Sequence, residues 1–124
     1  MGTVLTITSE HVQARVAITV FRLKGWLDAQ SENQFVQAAQ AAYEAGARFL
    51  VLDLSQIEAV ASAGIRAVQK ANRIFASEGA LYRVAHVRLA SAPPQIVQVL
   101  GITGFLQNLP LYENVQAAIE SFEA

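Results

Sequence analysis

The sequence contains no cysteine, which excludes disulfides, thiol catalysis and zinc sites with sulfur ligands. Charged residues are also scarce, at 15%, and nearly balanced: 9 basic and 10 acidic side chains give a net charge of −1. A protein that binds phosphate backbones or anionic lipid usually carries a basic excess, which this chain lacks. Direct binding of nucleic acid is therefore not expected.

Long apolar runs are missing as well. No run approaches the roughly 18 to 20 residues that cross a bilayer, and the start, MGTVLTITSE, lacks the basic and apolar regions of a signal peptide. We therefore expect a soluble, cytoplasmic protein that is not inserted in a membrane. Hydrophobic residues make up 53% of the chain, which suits one domain over residues 1–124 with apolar surface left for a partner.

Motifs for cofactors and for catalysis are absent too. The sequence has neither a phosphate-binding GxxxxGK[ST] loop nor a GxGxxG after a strand. His11 and His86 lack the spacing of metal ligands, so neither a metal nor a cofactor is expected. A triad of Ser62, His86 and Asp53 can be written, but GxSxG would need glycine in place of Val60. The sequence thus predicts a protein that is not an enzyme.

Strand and helix patterns alternate along the chain. Strands are predicted at TVLTITS, RVAITVFRLKGWLD, RFLVLDL, ALYRVAHVRL and weakly around Leu109. Helices are predicted at SENQFVQAAQAAYEAGA, from Ser62 to Gly79, at SAPPQIVQVLG and from about Asn114. This order predicts an α/β fold with a single mixed β-sheet of four to five strands and about four helices.

Finer expectations follow from the same patterns. The first strand should pair antiparallel with the second, and right-handed crossovers should put the connecting helices on a common face. Ser31 is a candidate N-cap, Gly46 a helix stop, and Pro93 or Pro94 should lie in the first turn of the third helix. Trp26 should lie partly exposed at a strand end. The expected inward-facing residues are Phe35, Ile65, Val68, Phe75, Ile96 and Ile119.

Ser62 is the residue with the greatest functional interest. A short polar loop is expected after Asp53, and Ser62 then stands where an apolar helix begins, as an ordinary N-cap would. The residues around it, Ala59, Ala61, Ala63 and Gly64, are small and should leave its hydroxyl unshielded. A phosphate would be accessible and tolerated at such a helix N-terminus.

Three stretches resemble the STAS domain family of anti-sigma-factor antagonists. LDLSQIEAVASAGI resembles the family's signature, in which a strand leads to Asp-Ser-Ser/Thr/Ala-Gly-Leu/Ile at a helix start. LKGWLDAQSENQF is similar to its Gly-x-Leu-Asp segment ahead of the first helix. APPQIVQVLGITGFLQNLPLYENVQAAI is similar to its C-terminal pattern. The resemblance covers nearly the whole chain in the right order and implies the STAS fold.

The resemblance also assigns roles to residues. Ser62 falls on the phosphorylatable serine, Gly64 on the helix-opening glycine and Asp28 on the aspartate beside that serine. The site departs from the family in being more apolar, since Ala61 replaces an aspartate and Trp26 an acidic residue. Ala63 replaces a Ser or Thr, and the stretch between Gly79 and Pro93 is longer than usual. The implied partner-binding residues are Trp26, Asp28, Ala59, Val60, Ala61, Ser62, Ala63 and Gly64.

By resemblance, the protein is an anti-sigma-factor antagonist that regulates transcription. It would bind an anti-sigma factor of the serine kinase type and release it when Ser62 is phosphorylated; a phosphatase is a further implied partner. An alternative is a STAS subunit without a phosphorylation cycle, either in a stress-signalling scaffold or in a lipid-transport ABC system. The alanines on both sides of Ser62 favour this alternative.

Overall fold

The computed structural model describes residues 4–13, 17–75, 86–102 and 109–122, which form one five-stranded sheet and four helices. In chain order the elements are β1 (Thr6–Gln13), β2 (Ala17–Leu27), α1 (Glu32–Glu44), β3 (Phe49–Val60), α2 (Ser62–Phe75), β4 (Val87–Ala90), α3 (Pro94–Ile102), β5 (Leu111–Tyr112) and α4 (Val115–Ser121). The predicted α/β class and single sheet are confirmed. No helix within these ranges is both long enough and apolar enough to cross a bilayer.

The sheet is mixed and its strands lie side by side in chain order, β1-β2-β3-β4-β5. β1 and β2 pair antiparallel, as expected, and the three remaining pairs are parallel. Within the described residues each parallel pair is joined by one helix, and residues of α1, α2 and α3 all enter the same core cluster. The connecting helices therefore share one face of the sheet, as right-handed crossovers require.

The larger core lies between the sheet and these three helices. Phe35 of α1 packs edge-on against Phe21 with ring centroids 6.3 Å apart, and Phe75 of α2 packs against Tyr43 at 5.5 Å. The predicted core residues that are buried here are Phe35, Val68, Phe75 and Ile96. Ile65 is only half-buried, because it lies in the first turn of α2 at the margin of the cluster.

The second face of the sheet is covered by α4 alone within the described residues. Ile119 and Ala118 of α4 pack on a smaller cluster that includes Ile18, Val20 and Val51. Beyond α4 this face carries polar residues, and Arg22 binds Glu10 at 2.8 Å and Asp53 at 2.9 Å. The first half of β1 and the end of β2 thus have no helix over this face in the described part of the chain.

Some element boundaries differ from expectation. The polar loop expected after Asp53 is wrong: β3 continues to Val60, because residues from Gln56 onward pair with β2 across two irregularities in register. β5 begins at Leu111, after the predicted Leu109. Pro94 opens α3, as predicted, and α4 begins directly after the predicted Asn114, which caps it by accepting a hydrogen bond from Ala117 N. Gly79, and the residues of ALYRVAHVRL up to 85, lie outside the described residues.

Candidate functional site

Strands β2 and β3 end side by side at one edge of the sheet, and each is followed by a helix. Leu27, the last residue of β2, pairs with Val60, the last residue of β3. Because the strands are parallel, α1 and α2 begin at this same edge. We call it the helix-start edge, and all residues assigned to phosphorylation or partner binding by the sequence lie on it.

Asp28 and Ser31 close the turn that precedes α1. Asp28 Oδ1 accepts hydrogen bonds from Gln30 N at 3.0 Å and from Ser31 N at 3.1 Å, while Asp28 N donates to Ser31 Oγ at 3.0 Å. This reciprocal exchange has the form of a capping box. These side-chain hydrogen bonds hold the turn ahead of α1, together with the backbone hydrogen bond from Ser31 N to the Asp28 carbonyl at 3.2 Å.

The expected capping chemistry of Ser31 is therefore wrong, although its position is right. Ser31 stands at the N-cap of α1, but its side chain accepts no hydrogen bond from the helix. Its hydroxyl donates instead to the Trp26 carbonyl at 2.8 Å. Ser31 is only 3% exposed, and a buried hydroxyl needs partners, which Trp26 and Asp28 provide.

Helix α2 begins with Ser62 itself, so Ser62 is its first residue and not its N-cap. The Ala61 carbonyl accepts hydrogen bonds from Gly64 N at 2.9 Å and Ile65 N at 3.1 Å, which gives Ala61 the N-cap position. The predicted cap is thus wrong by one residue. The reason is that Ala61 N donates to the Leu27 carbonyl at 2.8 Å, so the chain turns into the helix immediately after β3.

The Ser62 side chain is exposed and has no hydrogen-bond partner within the described part of the chain. Alanine at the N-cap offers no side-chain acceptor either, so α2 starts on backbone hydrogen bonds alone. As far as the described residues go, the hydroxyl of Ser62 consequently has no structural role that a chemical modification would disturb.

Gly64 allows α2 to lie directly against the end of β2. A Cβ at Gly64 would clash with the Leu27 carbonyl oxygen and would lie 2.6 Å from its carbonyl carbon and 2.7 Å from the Leu27 Cβ. Backbone atoms cannot move aside as the end of a flexible side chain can. The glycine of the Ser-Ala-Gly segment is therefore required by the close approach of the two elements.

The helix-start edge brings Asp28 and Ser62 close together. Ala61 N lies 2.8 Å from the Leu27 carbonyl oxygen, and Asp28 and Ser62 each follow these residues by one peptide. Covalent geometry then limits the distance between the Asp28 and Ser62 Cα atoms to about 11 Å. The two residues can contact the same partner surface.

The residues assigned to partner binding differ in exposure. Ala61 and Ser62 are exposed, Asp28, Ala59 and Val60 are half-buried, and Trp26 is 38% exposed, as expected for a strand end. An open cavity of about 380 Å³ is lined by Trp26, Asp28, Ala29, Gln30 and Ala61. Ala63 and Gly64 are buried beneath this surface, so they can support it only by close packing.

Val4 extends this surface and was missed by the sequence analysis. Continuing the β1–β2 register by two residues puts Val4 opposite Trp26 on the sheet face that α4 leaves open. Val4 is 75% exposed, and it and Trp26 are the exposed large hydrophobic residues of the described chain. No local signal could have paired them, because the pairing depends on the register between two strands.

A charged group links the two helices at the same edge. Glu32, the first residue of α1, accepts hydrogen bonds from Lys70 Nζ at 3.0 Å and from Arg66 Nη2 at 3.4 Å, both on α2. The hydrogen bond from Lys70, followed by that from Arg66, holds the pKa of Glu32 below its ordinary value. The sequence held one signal for this cluster: Ser62, Arg66 and Lys70 recur at intervals of four, the spacing of neighbours on one helix face.

The structure does not bring together the triad that can be written from the sequence. His86 lies at the start of β4, with Nδ1 3.1 Å from the Arg48 carbonyl, whereas Ser62 follows the opposite end of β3. The length of β3 separates them by about 30 Å. Asp53 is held elsewhere, by Arg22 and by the backbone N–H of Ser55.

The fold matches those of solved anti-sigma factor antagonists. An anti-sigma factor antagonist from Mycobacterium paratuberculosis has a TM-score of 0.80 at 18% identity, over 100% of this chain and 98% of that one. The Bacillus cell fate determinant SpoIIAA in its phosphorylated form has a TM-score of 0.66 at 17% identity, over 94% and 99%. A sulfate transporter family protein from Wolinella succinogenes has a TM-score of 0.68 at 11% identity, over 84% and 83%. Identities this low show a shared fold.

Comparison with curated proteins finds no match. The family model of the STAS domain, in contrast, matches residues 10–118. That range runs from within β1 into α4 and contains both helix starts with the Asp28 turn and Ser62. The chain therefore belongs to the STAS domain family.

Proposed function

We propose that this protein is an anti-sigma factor antagonist whose binding to a serine-kinase anti-sigma factor is switched by phosphorylation of Ser62. Membership of the STAS family and the fold shared with anti-sigma factor antagonists support the general kind of function. SpoIIAA, which shares this fold, has been solved in a phosphorylated form. The protein then acts in the cytoplasm as a binding module and needs neither metal nor cofactor.

The observation that carries the proposal is the state of the Ser62 hydroxyl. It is exposed at the first position of a 14-residue helix and has no hydrogen-bond partner among the described residues. A phosphoryl acceptor must be reachable by a kinase, and its modification must leave the fold intact. The N-terminus of α2 meets both needs, because the helix dipole favours negative charge there.

The modification is a phosphoryl transfer from ATP. Ser62 Oγ forms a bond to the γ-phosphorus while the bond from that phosphorus to the β–γ bridging oxygen breaks; ADP leaves, and a base of the kinase takes the hydroxyl proton. The product carries about −1.5 to −2 additional charge at pH 7. Inside an interface this charge must be desolvated beside Asp28, which weakens binding enough for release.

The neighbouring surface supplies the contact area that binding needs. Trp26 and Val4 are exposed on one face, and the open cavity beside Trp26 reaches Asp28 and Ala61. Aromatic residues beside a concave surface are frequent anchors of protein interfaces. Ala59, Val60 and Ala61 contribute further contacts with the partner, while Ala63 and Gly64 hold the surface in place from below.

The proposal is tested with the purified protein, the anti-sigma factor kinase of the same organism and ATP. Mass spectrometry should find one phosphate on Ser62, also in the control Ser55→Ala, which removes another exposed serine, in the middle of β3. Calorimetry should show that Ser62→Ala binds the kinase and that Ser62→Asp folds but does not bind.

Two results together would reject the switch: no phosphate at Ser62, and Ser62→Asp binding as tightly as the parent. The role of a STAS subunit without a phosphorylation cycle, in a stress-signalling scaffold or a lipid-transport ABC system, would then be favoured. Ala61 and Ala63, which flank Ser62, are the residues that support this second candidate function.

A further inference from the structure

Arg66 and Lys70 bind the same carboxylate in different ways. Lys70 Nζ donates to Glu32 Oε2 at 3.0 Å, an ordinary hydrogen-bond length. Arg66 Nη2 reaches Oε1 only at 3.4 Å, where a hydrogen bond is weak, and the Arg66 side chain is 58% exposed. Glu32 would therefore keep a strong partner if Arg66 moved away, so Arg66 can be released at little cost.

Arg66 also lies one helical turn after Ser62. Residues four apart on a helix are neighbours on one face, with Cβ atoms about 5–6 Å apart, and an anion N-terminal to the cation is the favourable order. A phosphate on Ser62 would project from the first residue of α2 into the reach of Arg66. The planar guanidinium can donate two parallel hydrogen bonds to phosphate oxygens, which Lys70 cannot do.

The charges around this position favour such a contact. The first turn of α2 contains no acidic residue that would repel a phosphate from within the helix. Asp28 and Glu32, across the edge on the α1 side, are both negative, so an added phosphate needs a cation between itself and them. Arg66 lies between the two helices, because it reaches from α2 to Glu32.

We propose that Arg66 binds the phosphate of phosphorylated Ser62, leaving Glu32 to Lys70, and that this exchange of partners accompanies phosphorylation. The inference rests on the proposed function, because it deals with the phosphorylated form. In that form Arg66 neutralises part of the new charge and keeps α2 folded from its first residue. Lys70 meanwhile preserves the link between α1 and α2.

The exchange of partners predicts that Ser62→Asp imitates phosphorylated Ser62 only in part. An aspartate carries a single charge on a short side chain, so it draws Arg66 away from Glu32 less completely than a phosphate does. We expect Ser62→Asp to reproduce the release of the partner while leaving Arg66 mostly on Glu32.

The test uses full-length protein with phosphoserine inserted at position 62 by stop-codon suppression, so that no kinase is needed. Phosphorus NMR measures the second pKa of this phosphoserine, which is about 6 when unperturbed. We expect Arg66→Gln to raise that pKa by about half a unit, as loss of one exposed ion pair should. Arg66→Lys should restore part of the difference. Lys70→Gln, the matched control, should raise it by less, because Arg66 is still present but is then shared between the phosphate and Glu32.

The inference is overturned if Arg66→Gln leaves the phosphoserine pKa unchanged, or if Lys70→Gln raises it equally, which would indicate a general field of positive charge. Both variants replace exposed or half-exposed ends of side chains, and circular dichroism checks that they fold. The kinase assay above tests the proposed function separately. A kinase that ignores Ser62 rejects the switch, whereas the NMR result alone decides the role of Arg66.

Discussion

The two helices that begin at the same sheet edge are held in opposite ways. α1 is preceded by a turn that side chains close, with Asp28 and Ser31 exchanging hydrogen bonds. α2 starts on backbone hydrogen bonds to the Ala61 carbonyl, with an alanine at the N-cap and a serine whose hydroxyl is unused among the described residues. A polar residue at a helix start is therefore not necessarily a cap.

The start of α2 is stable without a side-chain cap because tertiary contacts hold it. Ala61 N donates to the Leu27 carbonyl, and Gly64 lies against the same residue with no room for a Cβ. Lys70 and Arg66 add a link to Glu32 of α1. The start of α2 therefore does not depend on the Ser62 side chain, as is required of a residue that is to be modified.

Among the variants at the two helix starts, replacement of Gly64 should cause the largest loss of stability. Gly64→Ala forces a Cβ into the Leu27 backbone and should cost about 3 kcal/mol in the free energy of unfolding. Urea denaturation measures the loss. The control is Gly101→Ala in α3, where a Cβ would meet open space, and which should be neutral or stabilising by up to about 1 kcal/mol. Equal stability of the two variants would show that α2 does not depend on close contact with Leu27.

Removing the carboxylate of Asp28 should destabilise the turn that precedes α1. Asp28→Ala removes the acceptor for Gln30 N and Ser31 N and should cost about 1–2 kcal/mol of folding free energy. Asp28→Asn, the control, keeps a side-chain acceptor and should cost much less. If the two variants unfold at the same urea concentration, the hydrogen bonds of Asp28 do not stabilise the turn.

Giving α2 the cap that it lacks should make the two helix starts alike. Ala61→Ser places a hydroxyl at the exposed N-cap position, where it can accept from a free N–H of the first turn, and should add about 1 kcal/mol of stability. The control Ala63→Ser adds a hydroxyl inside the first turn and should not stabilise. Thermal unfolding measures both variants. If Ala63→Ser stabilised the protein more than Ala61→Ser, the assignment of Ala61 as N-cap would be contradicted.

Removing the hydroxyl of Ser62 should have the smallest effect. Because Ser62 lies at the first helical position and its hydroxyl bonds to none of the described residues, Ser62→Ala should change the free energy of unfolding by less than about 0.5 kcal/mol. Ser31→Ala, at the other helix start, removes a buried hydroxyl that donates to Trp26 and should cost about 1–2 kcal/mol. A loss at Ser62 as large as that at Ser31 would mean that Ser62 is structural after all.

Local sequence patterns determined the order of strands and helices and the mixed sheet. Hydrophobic periodicity depends on neighbours in the chain, so the strands that became β2 and β3 and the apolar stripe of α4 could be recognised without a structure. The family motifs around Gly25 and Gly64 are local too, which is why the STAS resemblance located the helix-start edge. These features needed no knowledge of distant contacts.

The roles of individual residues at that edge depend on contacts between distant parts of the chain. Ala61 is the N-cap of α2 because its N–H donates a hydrogen bond to the Leu27 carbonyl, where β3 ends. β3 continues beyond Asp53 because its later residues pair with β2. Val4 joined Trp26 through strand register. Gly64 is required because another element's backbone occupies the space of a Cβ. Each of these depends on atoms far apart in the chain, whose meeting no periodicity of one segment can predict.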